Sequence, residues 1–251
     1  MSLAAAGRLS LGVAFLGFGV LHLLYLDFVT RVFPWWPDVI PARPVLATVA
    51  GAGLMVGGAA LVVRYREQRV AGLLAVVLFA SLLVLAVPVA VRDAAWAGSW
   101  TVAGKVLAMG GGLLLVAGRG TAVGPWCFGA FLALCGIQHF IHVDFVTSLV
   151  PAWIPGARFW TWFTGVALVA GGVGVALPGT ARLAGLLTGG MIFTWLLILH
   201  VPRALTAPSD GNPNETVAVL EALAMSGIGW LVADRAAAAV SSRQVRRAEA
   251  A

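Results

Sequence analysis

The chain has 251 residues, of which 61% are hydrophobic and only 10% charged, with a formal net charge of +6. Globular domains are about 45–50% apolar and about 25% charged, so this chain lacks the polar surface to coat itself in water. That excludes a soluble enzyme, a disordered chain and a nucleic-acid-binding module; the lipid bilayer is the first expected partner.

A helix needs about 20 mostly apolar residues to cross the hydrocarbon core. Eight stretches qualify, roughly 9–26, 45–63, 70–91, 100–117, 122–143, 159–177, 183–202 and 216–233. None alternates strictly over about ten residues, as a strand of a membrane β-barrel would. The expected fold class is all-α, a polytopic membrane protein with eight transmembrane helices. The first stretch follows Arg8 but is not taken as a cleaved signal. No A-x-A-like site follows it, and it ends in His22 and Asp27, which recur later in the chain. Gly53-Leu-Met-Val-Gly57 and Gly185-Leu-Leu-Thr-Gly189 match the small-xxx-small pattern of helices packed closely in lipid. Such matches also arise by chance in glycine-rich spans.

Lys and Arg set the orientation. With the N-terminus in the cytoplasm, ten arginines lie inside (8, 64, 66, 69, 119, 182, 235, 243, 246 and 247). Five lie outside (31, 43, 92, 158 and 203), and Lys105 falls within a span. This predicts a multi-pass cell-membrane protein with both termini cytoplasmic. Residues 236–251 form a basic tail that either fixes topology or touches anionic lipid. Cys127 and Cys135 fall in one helix about 12 Å of rise apart, too far for a disulfide, and are expected as buried apolar side chains.

The most informative feature is an internal duplication. Gly19-Val-Leu-His22-Leu-Leu-Tyr-Leu-Asp27-Phe-Val-Thr30 recurs as Gly136-Ile-Gln-His139-Phe-Ile-His-Val-Asp144-Phe-Val-Thr147, at an offset of 117 residues. Pro34 and Trp36 continue the match to Pro151 and Trp153. Ile40-Pro41-Ala-Arg43 then resembles Ile154-Pro155-Gly-Ala-Arg158. Gly51, Leu54, Gly57 and Gly58 match Gly165, Leu168, Gly171 and Gly172. Pro88 matches Pro202, and Lys105-Val-Leu-Ala-Met109 matches Glu221-Ala-Leu-Ala-Met225. Each half is a four-span unit, 1–119 and 120–235. Four is even, so both halves enter the membrane in the same sense. The expectation is two parallel repeats about a pseudo-twofold axis along the membrane normal.

This pattern resembles the DoxX family of small membrane proteins. The resemblance lies in the H-x4-D-F element, the V-P-x-W/I-P loop and a second span reading T-G-x-x-L-x-x-G-G. It is fullest in the second half, in His139, Asp144-Phe145, Val150-Pro151-Ala-Trp153-Ile-Pro155 and Thr164 through Gly172. His200-Val-Pro202 and the last span also look like that family. Typical members have one four-helix unit, so the tandem fusion is a departure. The resemblance implies the fold more strongly than the function. Relatives are linked to quinone-dependent sulfur oxidation, to maturation of redox enzymes and to handling other membrane proteins.

In the expected orientation, His22, His139, His142 and His200 all lie in the outer half of the membrane or at its outer rim. Asp27, Asp144, Arg31, Arg43, Arg158 and Arg203 share that layer, and Lys105 and Glu221 sit just inside it. Ionisable groups in lipid usually face a cavity or a partner, so this layer is the candidate ligand-binding site. Packing is the competing role for each histidine, since a His bonded to a neighbouring helix is a common device in membranes. His139 and His142 are i,i+3 and share a helix face. His22 and His139 are repeat equivalents that could meet across the axis. No motif demands haem or a fixed metal, and neither is expected. Asp27 and Asp144 are expected to pair with Arg43 and Arg158 and hold the following loop down; ligand or proton contact is the alternative. Lys105 and Glu221 either form a buried pair or face a water-filled cleft, and the polar residues at the same depth favour the cleft. Of the ten tryptophans, Trp35, Trp36, Trp96, Trp100, Trp126, Trp153 and Trp160 lie near span ends, as an aromatic belt requires. Trp36 and Trp153 could instead line a pocket for a flat ring such as a quinone head.

Three functions compete. The leading expectation is a subunit supporting a quinone-linked membrane oxidoreductase, with quinone as the cofactor and the histidines bonding its carbonyls. The second is a non-catalytic assembly protein that holds a membrane or extracytoplasmic partner. The third is a small-molecule transporter, disfavoured because the polar residues are confined to one leaflet whereas alternating access uses a midplane site.

Overall fold

In the computed structural model, residues 1–29, 42–119, 122–207 and 213–249 are described. Among them the chain is helical and contains no strand, and eight stretches are long and apolar enough to cross a bilayer. Six spans are continuous helices: α1 (Leu3–Tyr25), α2 (Arg43–Val63), α5 (Ala97–Val116), α6 (Val123–Ile141), α8 (Ala157–Ala176) and α11 (Asn214–Glu249). The other two are composite. α3 (Glu67–Ser81) passes through a π-helical turn, Leu82–Ala86, into α4 (Val87–Arg92). α9 (Ala181–Trp195) passes through Leu196–His200 into α10 (Val201–Thr206). Each π turn ends two residues before a proline, Pro88 or Pro202. A proline inside a helix lacks the N–H and crowds the carbonyl four residues back; one extra residue in the turn relieves that crowding without ending the helix.

The helices extend past the apolar stretches because their polar ends are also helical. Arg43 and Glu67 open α2 and α3, and Arg92 closes α4. Two differences are larger. The basic segment after residue 235 is helical: α11 runs on through it to Glu249. Asp144, expected to open a loop, instead lies in a short helix, α7 (Val143–Leu149), after His142 ends α6.

Packing follows the duplication. α1 lies against α2, as α6 lies against α8; α3 lies against α5, as α9 lies against α11. The first span of each half also packs on the last span of the other, α1 on α11 and α6 on α5, and α5 meets α11 between them. Those two spans are the most buried, at 61% and 72% of their apolar windows, so they form the centre of the bundle. Lipid offers no hydrophobic drive for helix association, and close van der Waals packing carries it instead. A side chain on Gly58 would collide with Leu16 N and Gly12 O (2.6 Å); one on Gly172 would meet Gly129 O (2.6 Å) and Ala133 N (2.9 Å). Gly19 against Gly51 and Gly136 against Gly165 repeat the arrangement one level along. The two small-xxx-small matches divide. Gly185 and Gly189 press on α11 at Gly229 O (2.6 Å) and Ser226 O (2.9 Å), whereas Gly53 has open space around it.

This contrast sets a test. Gly58→Leu drives a side chain into backbone atoms that cannot yield and should cost at least about 1–3 kcal/mol. Gly53→Leu should be neutral. Thermal unfolding of the two variants in one detergent separates them, and equal midpoints would show that the α1–α2 contact is not tight.

Candidate functional site

The spans alternate in direction, so the end of α1, the start of α2, the ends of α4, α6 and α10, and the starts of α5, α8 and α11 share one end of the bundle. All four histidines belong to that end. Their surroundings differ.

His22 is fully buried. Its Nδ1–H donates to Phe18 O at 2.7 Å, and Nε2 accepts a long bond from Val29 N–H at 3.4 Å. This tautomer follows from the two partners. Its ring stands edge-on to Phe28 at 5.9 Å. His22 thus pins the chain leaving α1 onto the helix that it leaves. His139 repeats the first bond, Nδ1–H to Cys135 O at 2.7 Å. The segment after it runs into α7, and among the described residues Nε2 meets no protein partner. His22 and His139 sit on helices that pack on opposite neighbours, and the structure gives them separate partners. His142 is the C-cap of α6 (φ −115°, ψ 42°), outside the regular helix, and exposed, so the helix face expected to be shared with His139 does not extend to it. His200 closes the second π turn and is half-buried.

The charged residues form pairs of unequal quality. Arg43 grips Asp27 through two bonds, 2.6 and 3.1 Å, and Asp27 also accepts the Phe28 N–H at 2.6 Å. Its repeat equivalent is loose: Arg158 and Asp144 lie 3.6 Å apart with side chains 61% and 90% exposed, so the pair contributes little. Arg158 instead stands over the Trp162 ring at 5.8 Å. Arg203 forms a two-bond pair with Glu215, at 3.0 and 2.7 Å, across α10 and α11. Sequence reasoning placed Arg203 in this layer but missed Glu215, whose signal was an acidic residue in the first turn of a helix.

Lys105 and Glu221 form an ion pair at 2.6 Å. The expected polar cleft at this point is therefore corrected to a closed contact. Each lies seven or eight residues into its helix, about 10–12 Å deep, and their side chains are only 16% and 6% exposed. One level toward the surface, Gln138 donates to Ala97 O at 3.1 Å and accepts from the Thr101 hydroxyl at 2.8 Å, tying α5 to α6. That cluster was also missed, because a lone Gln or Thr in an apolar span carries no pattern.

The open feature lies elsewhere. Trp153, Ile154, Trp160, Phe163 and Thr164 face Met191, Thr194, Trp195 and Ile198 across an almost wholly apolar groove of about 360 Å³ between α8 and α9. Trp153 lines this groove and is 70% exposed, which suits either of its two expected roles; Trp36 lies outside the described residues. Trp195 and Phe163 were not foreseen, since aromatic residues inside a span look like ordinary lipid contacts. Trp96 and Trp126, 66% and 61% exposed at helix ends, fit the belt. Among the described residues no three of His, Cys, Asp and Glu converge as metal ligands.

A family described as a domain of unknown function, DUF8561, matches residues 128–226, from α6 into α11 within the second half. No curated protein and no solved structure matches the chain.

The histidines should separate on substitution. His22→Ala leaves the Val29 N–H buried without its partner and opens a cavity, and should cost about 1–3 kcal/mol of stability. His139→Ala removes a half-exposed ring and should cost less than about 1 kcal/mol. Chemical unfolding in mixed micelles reads both; the reverse order would show that His139 carries the fold.

Proposed function

We propose that the chain is a DoxX-like membrane protein of two parallel four-helix repeats that supports a quinone-linked oxidoreductase by holding a lipid-soluble quinone. The observation that carries this reading is the groove between α8 and α9. Its volume, about 360 Å³, falls in the range of about 300–1,000 Å³ typical of small-molecule sites. Its walls are flat aromatic rings with two hydroxyl groups, Thr164 and Thr194, and few other polar atoms. A quinone needs the same combination, ring faces for the head, apolar walls for the isoprenoid tail and a few donors for the carbonyls. It would enter sideways from the bilayer. The repeat assignment is supported by the matched packing of the halves and by glycine contacts at equivalent positions. The arginine count supports an extracytoplasmic location for the histidine end.

A second reading, docking of a membrane or extracytoplasmic partner, is favoured by one observation. Phe145, Trp153, Phe159 and Trp162 are 51–70% exposed along α7, α8 and the turn between them. Stoichiometric co-purification of one polypeptide through this face would support it.

The quinone reading is tested by titrating the detergent-solubilised protein with a short-chain quinone and following tryptophan quenching. The wild type should saturate, and Trp153→Ala with Trp195→Ala should weaken binding by about tenfold, the loss expected from two aromatic contacts. Linear, non-saturating quenching of the wild type, or an unchanged affinity in the double variant, would overturn it.

A further inference from the structure

At the end of the bundle opposite the histidines, α2 and α3 are joined by the turn Arg64-Tyr65-Arg66. A cleft of about 480 Å³ opens there, lined by Arg64, Arg66, Glu67, Gln68 and Arg69. We infer that this cleft binds the phosphate of an anionic phospholipid in the leaflet at that end.

Charge is the first support. Among the described residues Glu67 is the only carboxylate lining the cleft, and it is held by Arg8 and Arg64 at 3.3 Å each. Arg8 is held further by Leu61 O and by Val62 O (3.0 Å), at the end of α2. Arg66 and Arg69 have no carboxylate partner among the described residues; Arg66 stands over the Tyr65 ring at 5.6 Å. Two more arginines lie near this end without lining the cleft, and Arg235 donates to Leu115 O at 3.1 Å. Arg119 Nη1 lies 4.0 Å from where a side chain on Gly72 would begin. Gln68 Nε2 and Arg235 Nη2 lie 3.9 and 4.0 Å from the same point on Gly118. Asp234, the neighbouring acid, accepts the Ala4 N–H at 3.2 Å.

The backbone is the second support. Arg64 and Arg66 both adopt left-handed conformations, φ 65° and 46°, where glycine is favoured. Side chains persist at such strained positions where the surroundings or a function require them. The second half makes the equivalent connection between α8 and α9 with Leu177-Pro-Gly-Thr180, which carries no charge. The turn itself therefore needs no arginine; counting the first helical residues that follow, the first half has three (Arg64, Arg66 and Arg69) and the second has one, Arg182.

Depth identifies the occupant. The turn joins two membrane-spanning helices, so the cleft lies at the level of the lipid headgroups. Lipid phosphate is the anion present there at high local concentration, and basic clusters next to spans recognise anionic lipid. Arginine suits this role because its fork matches two phosphate oxygens.

The test uses the full chain in mild detergent. It is offered dioleoyl phosphatidylglycerol or dioleoyl phosphatidylcholine, and retained lipid is counted by native mass spectrometry. The wild type should prefer phosphatidylglycerol by about tenfold, and Arg66→Gln with Arg69→Gln should remove that preference. Arg92→Gln, at the other end, should leave it intact. Circular dichroism confirms that the variants remain helical. Equal retention of the two lipids by the wild type, or an unchanged preference in the double variant, would overturn the assignment. So would displacement of the lipid by millimolar inorganic phosphate, which would identify a soluble anion as the occupant.

Discussion

A single pair of charges governs how the two halves meet. The Lys105 ammonium and the Glu221 carboxylate sit 2.6 Å apart, about 10–12 Å inside their helices. Neither charge is tolerable alone at that depth, because lipid offers no solvation and isolated ions in spans are costly. Lys105 belongs to the first half and Glu221 to the second, so they satisfy each other only when α5 faces α11. That closure also seats α1 against α11 and α6 against α5. A buried pair is a poor source of net stability, since well-packed apolar residues often do as well. We propose that its value here is in register, favouring the arrangement that sets α5 against α11.

Around this constraint the halves share a scaffold and divide the polar work. In the first half His22 and Asp27 are held by partners of that same half. Both nitrogens of His22 are engaged, and Asp27 is gripped by Arg43. The second half holds the equivalent atoms less firmly: among the described residues His139 keeps one ring nitrogen without a protein partner, and the Asp144–Arg158 pair is stretched and exposed. The aromatic groove lies in that same half. At the opposite end the first half carries Arg64, Arg66 and Arg69 around its turn, and the second half has an uncharged turn followed by Arg182 alone.

The eight spans were legible in the sequence because twenty consecutive apolar residues have few alternatives. The polar layer at the histidine end was legible because ionisable residues in lipid stand out singly, and an exact offset ties His22 to His139. Partner choice was not legible. Lys105 and Glu221 are 116 residues apart, and whether they meet depends on which faces of α5 and α11 turn inward. The π turns before Pro88 and Pro202 were hidden for a similar reason, since a proline in a span can kink, end or loosen a helix with equal sense in sequence. The groove was hidden because Trp195 and Phe163 differ from lipid-facing aromatics only by the gap between two helices. The helical course of α7 after His142 depends on local hydrogen bonding that the motif match with the first half did not convey.

The most direct test of the joining pair is a double-mutant cycle measured by reversible unfolding in bicelles, with Lys105→Met, Glu221→Leu and both together. Each single variant strands a buried charge and should lose about 3–5 kcal/mol, whereas the double variant should recover most of that loss. Additive losses, with no recovery in the double variant, would contradict the account and show that the halves are held in register by apolar packing alone.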